Sequence, residues 1–354
     1  MTPLLALLLA GCSAFEAVDY YWQGTAGEFD ILARAKPVDE VIAQGDDGAL
    51  SVRLARARDI RVFASRELGL PDNRSYTRYS DVGRPFVVWN VYATPALSLK
   101  PRQWCFPIAG CVNYRGYFRE SEARAEAERF RALGDDVYVS GVPAYSTLGY
   151  FDDPLLSTFV RWPETEVARL VFHELAHQVL YVKDDSVFNE SFAVAVEETG
   201  VKRWLAAQNN PKLDAEFARA QRYRAIFRDL VNSTGARLAA IYASDASDDA
   251  KRGAKAEALT AMSDAYAAAK AADPGFAGYD RWFKGYANEG PNNANLASVA
   301  LYTAQVPAFE ALLAQEGGDL PRFYARVKEI AALEKPDRQR ALAGAAPSAV
   351  TLSH

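Results

Sequence analysis

Leu170-Val171-Phe172-His173-Glu174-Leu175-Ala176-His177-Gln178-Val179-Leu180 is the stretch on which the reading of this chain turns. Its apolar residues recur at helical spacing and predict a buried helix. At about 3.6 residues per turn, His173 and His177 project from one face, one turn apart. Glu174 then sits about 100° around the helix from His173. The chain holds three histidines in all, and the third, His354, is its last residue. The only two internal histidines therefore share one helix face.

Two imidazoles one turn apart can reach a single metal ion, with Glu174 close enough to touch a water on that metal without ligating it. This is the His-Glu-x-x-His arrangement of zinc hydrolases. A catalytic zinc site needs a third protein ligand and one open position. No further internal histidine exists, so the third ligand is acidic or absent. Thirteen residues after His177 comes Glu190, in Asn189-Glu190-Ser191-Phe192-Ala193. On a following helix, antiparallel to the first, Glu190 reaches the same metal, with Glu197 or Glu198 as substitutes. Glu197 lies two turns beyond Glu190 on the same face, placed to orient one of the imidazoles through its free ring nitrogen.

His173 to His177 followed by the Asn189-Glu190 pair resembles the gluzincin zinc peptidases, the thermolysin-like and aminopeptidase N-like enzymes. With Asn292-Asn293-Ala294-Asn295-Leu296-Ala297, the same segments resemble a bacterial lipoprotein family labelled "putative aminopeptidase", over most of the mature chain. The resemblance implies a zincin-like fold, zinc held by His173, His177 and Glu190, and Glu174 as the base that activates the zinc-bound water on a peptide substrate. Asn189 stands beside the ligand in the supporting set. Gluzincins commonly use a downstream Tyr or His as oxyanion donor, which points first to Tyr302, with Tyr286 and Tyr242 as alternates. Related enzymes hold the peptide on a strand just upstream of the zinc helix. Val137 to Tyr150 occupies that place, with Tyr145 in its second half, and Asp152, Asp153 and Glu164 are acids available to a free amino terminus. An envelope endopeptidase and a catalytically silent zinc-bearing lipoprotein that binds peptides stay open beside the aminopeptidase. The presence of Glu174 argues against the silent form, which needs no base beside its metal.

The 354 residues are 50% apolar and 24% charged, with a net charge of −5 and acids and bases interspersed. That balance is ordinary for a folded protein, and no Lys/Arg cluster or aromatic-basic stripe points to a nucleic-acid partner. The chain opens with an apolar run from Leu4 to Ala10, the length of a signal-peptide core and too short to span a bilayer. Leu9-Ala10-Gly11-Cys12 resembles the bacterial lipobox. That implies a signal peptide over residues 1–11, a mature chain acylated at Cys12, and a periplasm-facing protein whose only membrane contact is this anchor. Ser13 after the cysteine favours the outer membrane. Cys105 and Cys111 form an even pair around a Pro- and Gly-bearing loop, which in an exported chain predicts a disulfide bracing a hairpin.

The fold class expected is α+β and mainly helical, with a small mixed or antiparallel sheet packed on the His-Glu-x-x-His helix. Residues 13 to 82 read as largely helical. From Pro85 the period changes, and Phe86 to Tyr92, Leu97 to Phe106, Cys111 to Phe118 and Val137 to Val142 read as strands. Glu120 to Leu133 is a helix between them. Helices are then expected at 164–182, 186–208, 212–231, 234–243, 248–272, 294–315 and 319–332, with Gly200 interrupting the second or marking its near end. We expect one domain over 12–343, its β-containing half ending near 160, and a disordered tail over 344–354.

Overall fold

The change of period near Pro85 marks a change of structure. A computed structural model of the protein describes residues 20–106 and 110–345, apart from the side chains of 301–303. Before Pro85 the chain forms helix α1 over 20–34, α2 (Val38–Gln44) and α3 (Gly48–Leu68). Gly69 takes left-handed backbone (φ 65°) and closes α3, a conformation that strains any residue with a Cβ. Strand β1 (Lys36–Pro37) lies between α1 and α2, and β2 (Arg78–Ser80) follows α3. β2 pairs antiparallel with β1 and parallel with β8 (Leu155–Leu156), a three-stranded ribbon too short to be visible as a period-2 pattern.

The main sheet is antiparallel. Strand β3 (Val88–Pro95) lies at its centre, flanked by β6 (Arg115–Tyr117) and β7 (Asp135–Val142). Trp89, Val91 and Ala93 alternate onto one face and pack with Ala123 and Ala127 of α4 (Glu120–Ala132). Tyr92 and Tyr138 point to the other face and pack with Ala294 and Leu296 of α10 (Asn293–Thr303). A sheet covered on both faces explains why β3 reads as a near-continuous apolar and aromatic run. Strands β4 (Trp104–Phe106) and β5 (Gly110–Val112) form a separate hairpin, in which Cys105 stands opposite Cys111 and is joined to it by a disulfide. The long strand expected from Leu97 is reduced to these three residues, since Pro101 lies inside it and has no N–H for a ladder.

The remainder is helical: α5 (Glu164–Val179), α6 (Ser186–Gln208), α7 (Pro211–Ala243), α8 (Asp248–Ala272), α9 (Asp280–Lys284), then α10, α11 (Val306–Gln315), α12 (Leu320–Ala331) and α13 (Lys335–Ala345). The fold is thus α+β and mainly helical. The sheet does not lie chiefly on α5, as expected: α4 and α10 cover it, α10 in turn meets α6, and α5 packs on α6, α3 and α7.

Three helix boundaries differ from expectation for identifiable reasons. The break expected at 232–233 is absent, because Val231, Thr234 and Leu238 are all buried and carry α7 through its polar stretch. Segment 294–315 is two helices, since Pro307 near the start of α11 has no N–H to continue α10. Gly200 neither interrupts nor ends α6. It is buried, and a Cβ there would lie 2.8 Å from Leu68 Cδ1 and Phe172 Cδ2, so glycine is what lets α6 approach α3 and α5. Helix α13 was not expected at all. Cys12 and residues 346–354, the anchor and most of the tail read from the sequence, lie outside the described residues. Among the described residues no helix is long and apolar enough to cross a membrane.

Candidate metal centre

Helix α5 stops at Val179, where Leu180 turns extended, and only six residues separate it from α6. So tight a connection needs fixing. Asp185 accepts a hydrogen bond from Phe188 N at the start of α6, and Arg338 of α13 donates to its carboxylate at 3.0 and 2.9 Å. Asn189 Oδ1 accepts from Val182 N at 2.8 Å, and its Nδ2 donates to Val182 O at 2.7 Å. Asn189 therefore supports the site by fixing the connection between the two helices. Its clamp sets where the next residue, Glu190, points.

The ligand atoms of His173, His177 and Glu190 converge. His173 Nε2 lies 3.2 Å from His177 Nε2 and 3.2 Å from Glu190 Oε2, and His177 Nε2 lies 3.6 Å from Glu190 Oε2. A tetrahedral zinc with bonds of about 2.0–2.1 Å spaces its ligand atoms about 3.3–3.4 Å apart. Among the described residues these three form the group of His, Cys, Asp or Glu side chains that could hold a metal ion. Three electron-pair donors facing one another are a set that a cation satisfies. The electrostatics agree. Burial resists ionisation of Glu190, yet the His177 and His173 imidazoles outweigh it and hold the carboxyl down at about 2. Burial also opposes charge on His173, but Glu190 and Glu197 pull its pKa well above the ordinary value. The two carboxylates thus favour positive charge at His173.

Glu197 is where the helix face predicted it. Its Oε2 lies 2.9 Å from His173 Nδ1, and Arg169 Nε donates to its Oε1 at 3.0 Å. Arg169 also donates to Glu166, which accepts from Arg224 of α7. With Nδ1–H donating to Glu197, His173 in its neutral form would offer its Nε2 lone pair to a cation between the three side chains. His177 Nδ1 is buried with no hydrogen-bond partner among the described residues. Glu198 is not part of the cluster; it faces Arg228 at 3.7 Å.

Glu174 follows His173 on α5 and makes no hydrogen bond among the described residues, so no neighbour holds its carboxylate. Burial raises its pKa, and the two imidazoles draw it back in part. Two tyrosines that the sequence did not single out stand in its field. Tyr114, between β5 and β6, packs on Tyr92 with ring centroids 5.7 Å apart. Burial lifts its phenol, and the Glu190 and Glu174 carboxylates are among the charges that lift it further. Its hairpin is seated against the centre, since Cys111 N donates to Asp184 in the α5–α6 connection. Tyr76 has a buried hydroxyl without a partner among the described residues; burial and then Glu174 raise its pKa.

The other expected residues divide. Tyr302 lies in the last turn of α10, where side chains are not among those described. Its alternates are engaged elsewhere: Tyr286 donates to Glu128 at 2.8 Å and Tyr242 to Asn293 at 2.8 Å. Asp152 is turned outward to Arg74 at 3.2 Å, and Glu164 faces Arg56 at 3.8 Å. Asp153 is buried and holds its own loop, accepting from Thr147 Oγ1 at 2.7 Å and Thr147 N at 3.0 Å. Burial raises its pKa to about 6, the effect of Thr147 notwithstanding. Glu28 of α1 is its buried companion, raised to about 7 by burial and then by Asp153. Tyr145 stacks edge-on with Phe118 at 5.4 Å, with 39% of its surface exposed.

Comparison with known families gives a match: residues 19–342 match the model of a family described as "Putative aminopeptidase". The chain belongs to this aminopeptidase family. The match takes in both centre-forming helices, the main sheet and α10. No curated protein matches the chain, and no solved structure does. An aminopeptidase family is one of hydrolases acting on peptides.

Proposed function

We propose that the protein is a zinc-dependent aminopeptidase of the cell envelope, a zincin-like, gluzincin-type enzyme anchored through Cys12. The observation that carries the reading is the convergence of His173 Nε2, His177 Nε2 and Glu190 Oε2 at 3.2 to 3.6 Å from one another, beside a Glu174 that makes no hydrogen bond among the described residues. A zinc ion held by these atoms would supply a Lewis acid and lower the pKa of a water to about 7.

The chain's own residues then divide the work. Glu197, fixed by Arg169, holds His173 in the tautomer that offers Nε2. The Asn189 clamp and the Asp185–Arg338 pair keep Glu190 in register with α5. Glu174 takes the proton from the attacking water at its carboxylate and delivers it to the leaving amine, the general base and acid of one turnover. A donor is needed where the carbonyl oxygen gains charge. Tyr114, whose phenol feels the Glu190 and Glu174 carboxylates, is one candidate for this donor, and Tyr302 is the other.

Hydrolysis of matched peptides with free and with acetylated amino termini, on zinc-loaded protein, tests the reading. Release of the first residue from free-amine peptides alone is the expected result. Internal cleavage of both would make the protein an endopeptidase, and no cleavage of either would leave a zinc-bearing binding protein.

A further inference from the structure

Helix α1 is apolar on two sides, and only one of them is covered. Its inner side is pinned: Gln23 Oε1 accepts a hydrogen bond from Phe118 N at 2.9 Å, Gly27 lies directly over the Phe118 ring, and Ile31 is buried. The outer side carries Tyr21, Trp22, Thr25, Ala26, Phe29 and Ala33, all exposed. At 100° per residue these six fall within an arc of about 140°. None is charged; Glu28, Asp30 and Arg34 all lie outside it. Trp22 is 71% exposed, Phe29 59% and Tyr21 46%. Three aromatic side chains on an uncharged helix face call for a partner.

The chain itself indicates which. Cys12 precedes Tyr20 by eight residues, a span of about 30 Å at full extension. Acyl chains on Cys12 would hold α1 permanently beside a bilayer. Trp and Tyr combine an apolar ring with a polar edge, the character that suits the headgroup boundary. Anchoring by a single lipidated site is strengthened by a second contact, at the high effective concentration that the tether imposes. We propose that the outer face of α1 rests on the phospholipid surface to which Cys12 is anchored, with Trp22 and Phe29 inserted among the headgroups. The proposal depends on reading Cys12 as the acylation site.

The test uses the chain from Cys12 onward, the form left by processing at the lipobox. Cys105 and Cys111 are joined, so the Cys12 thiol can be coupled to a maleimide phospholipid in vesicles of phosphatidylethanolamine and phosphatidylglycerol, with or without a brominated-chain lipid. Bromine should quench part of the tryptophan fluorescence, and Trp22→Phe should abolish most of that quenching while leaving peptide hydrolysis unchanged. Equal quenching in both proteins, or none in either, overturns the proposal. So does sedimentation equilibrium showing an untethered dimer that Trp22→Ser converts to monomer, which would assign the face to a second copy. The mass of the native amino-terminal peptide is the separate control. A terminus without acyl chains overturns the anchor and this orientation together, whereas failed quenching on an acylated protein overturns the orientation alone.

Discussion

His173 Nδ1 and Glu197 Oε2 lie 2.9 Å apart, joining consecutive helices beside the cluster of His173, His177 and Glu190. The contact fixes one imidazole by the nitrogen that a metal does not use. Glu197 is itself almost fully buried and held by Arg169, so the arrangement has little freedom to relax. Glu197→Gln should weaken zinc binding about 10- to 100-fold, the usual effect of removing such a partner. Competition with a chromogenic chelator measures it, and hydrolysis should recover at excess zinc. Unchanged affinity would mean that the contact only packs the helices.

Glu174 lies beside the two imidazoles and makes no hydrogen bond among the described residues. Glu174→Gln keeps its size and should leave zinc content as in the wild type while lowering kcat by about 10²- to 10⁴-fold. A variant that hydrolyses peptides at the wild-type rate would remove Glu174 from the mechanism.

The centre was legible in the sequence because its geometry is local: His173 and His177 are one turn apart, and Glu190 and Glu197 are two turns apart on the next helix. The residues that were not legible depend on contacts across the chain. Nothing near Asn189 says that its side chain will close on Val182. Asp152 and Asp153 are adjacent in sequence, yet one meets Arg74 at the surface and the other is consumed by Thr147. Tyr114 is one of 18 tyrosines, and only the seating of the disulfide hairpin on Asp184 brings it near Glu190. Its position just past Cys111, in a braced loop, was the available clue. The strands β1, β2 and β8 are two or three residues long, below the length at which alternation is visible.

Gly200 predicts a stability effect away from the chemistry. A Cβ there would stand 2.8 Å from carbons of Leu68 and Phe172, so Gly200→Val overpacks the junction of α3, α5 and α6. A loss of about 1–3 kcal/mol is expected, read as a lower urea midpoint. An unshifted midpoint would mean that the junction has room.

Glu28 gives a pH dependence with a definite sign. Its carboxyl rises from an ordinary 4.5 to about 7 in the fold, through burial and then Asp153. The folded chain thus keeps a proton that the unfolded chain releases between those values. The associated stability is complete below about pH 4.5 and is lost as pH rises through 7. Glu28→Gln carries no such proton. Its stability relative to the wild type should therefore improve from pH 5 to pH 8, by about 1–3 kcal/mol. Denaturant curves at the two pH values would show this, and a difference that does not change with pH would contradict it.

The account depends most directly on the metal and its acidic ligand. Elemental analysis of the purified wild type and of Glu190→Ala, both dialysed against the same buffered free zinc, tests this without reference to any substrate. About one zinc per wild-type chain is predicted, with most of it lost from Glu190→Ala, since three-ligand sites depend on each ligand. A wild type that binds no zinc, or a Glu190→Ala variant that holds it equally well, would contradict the account.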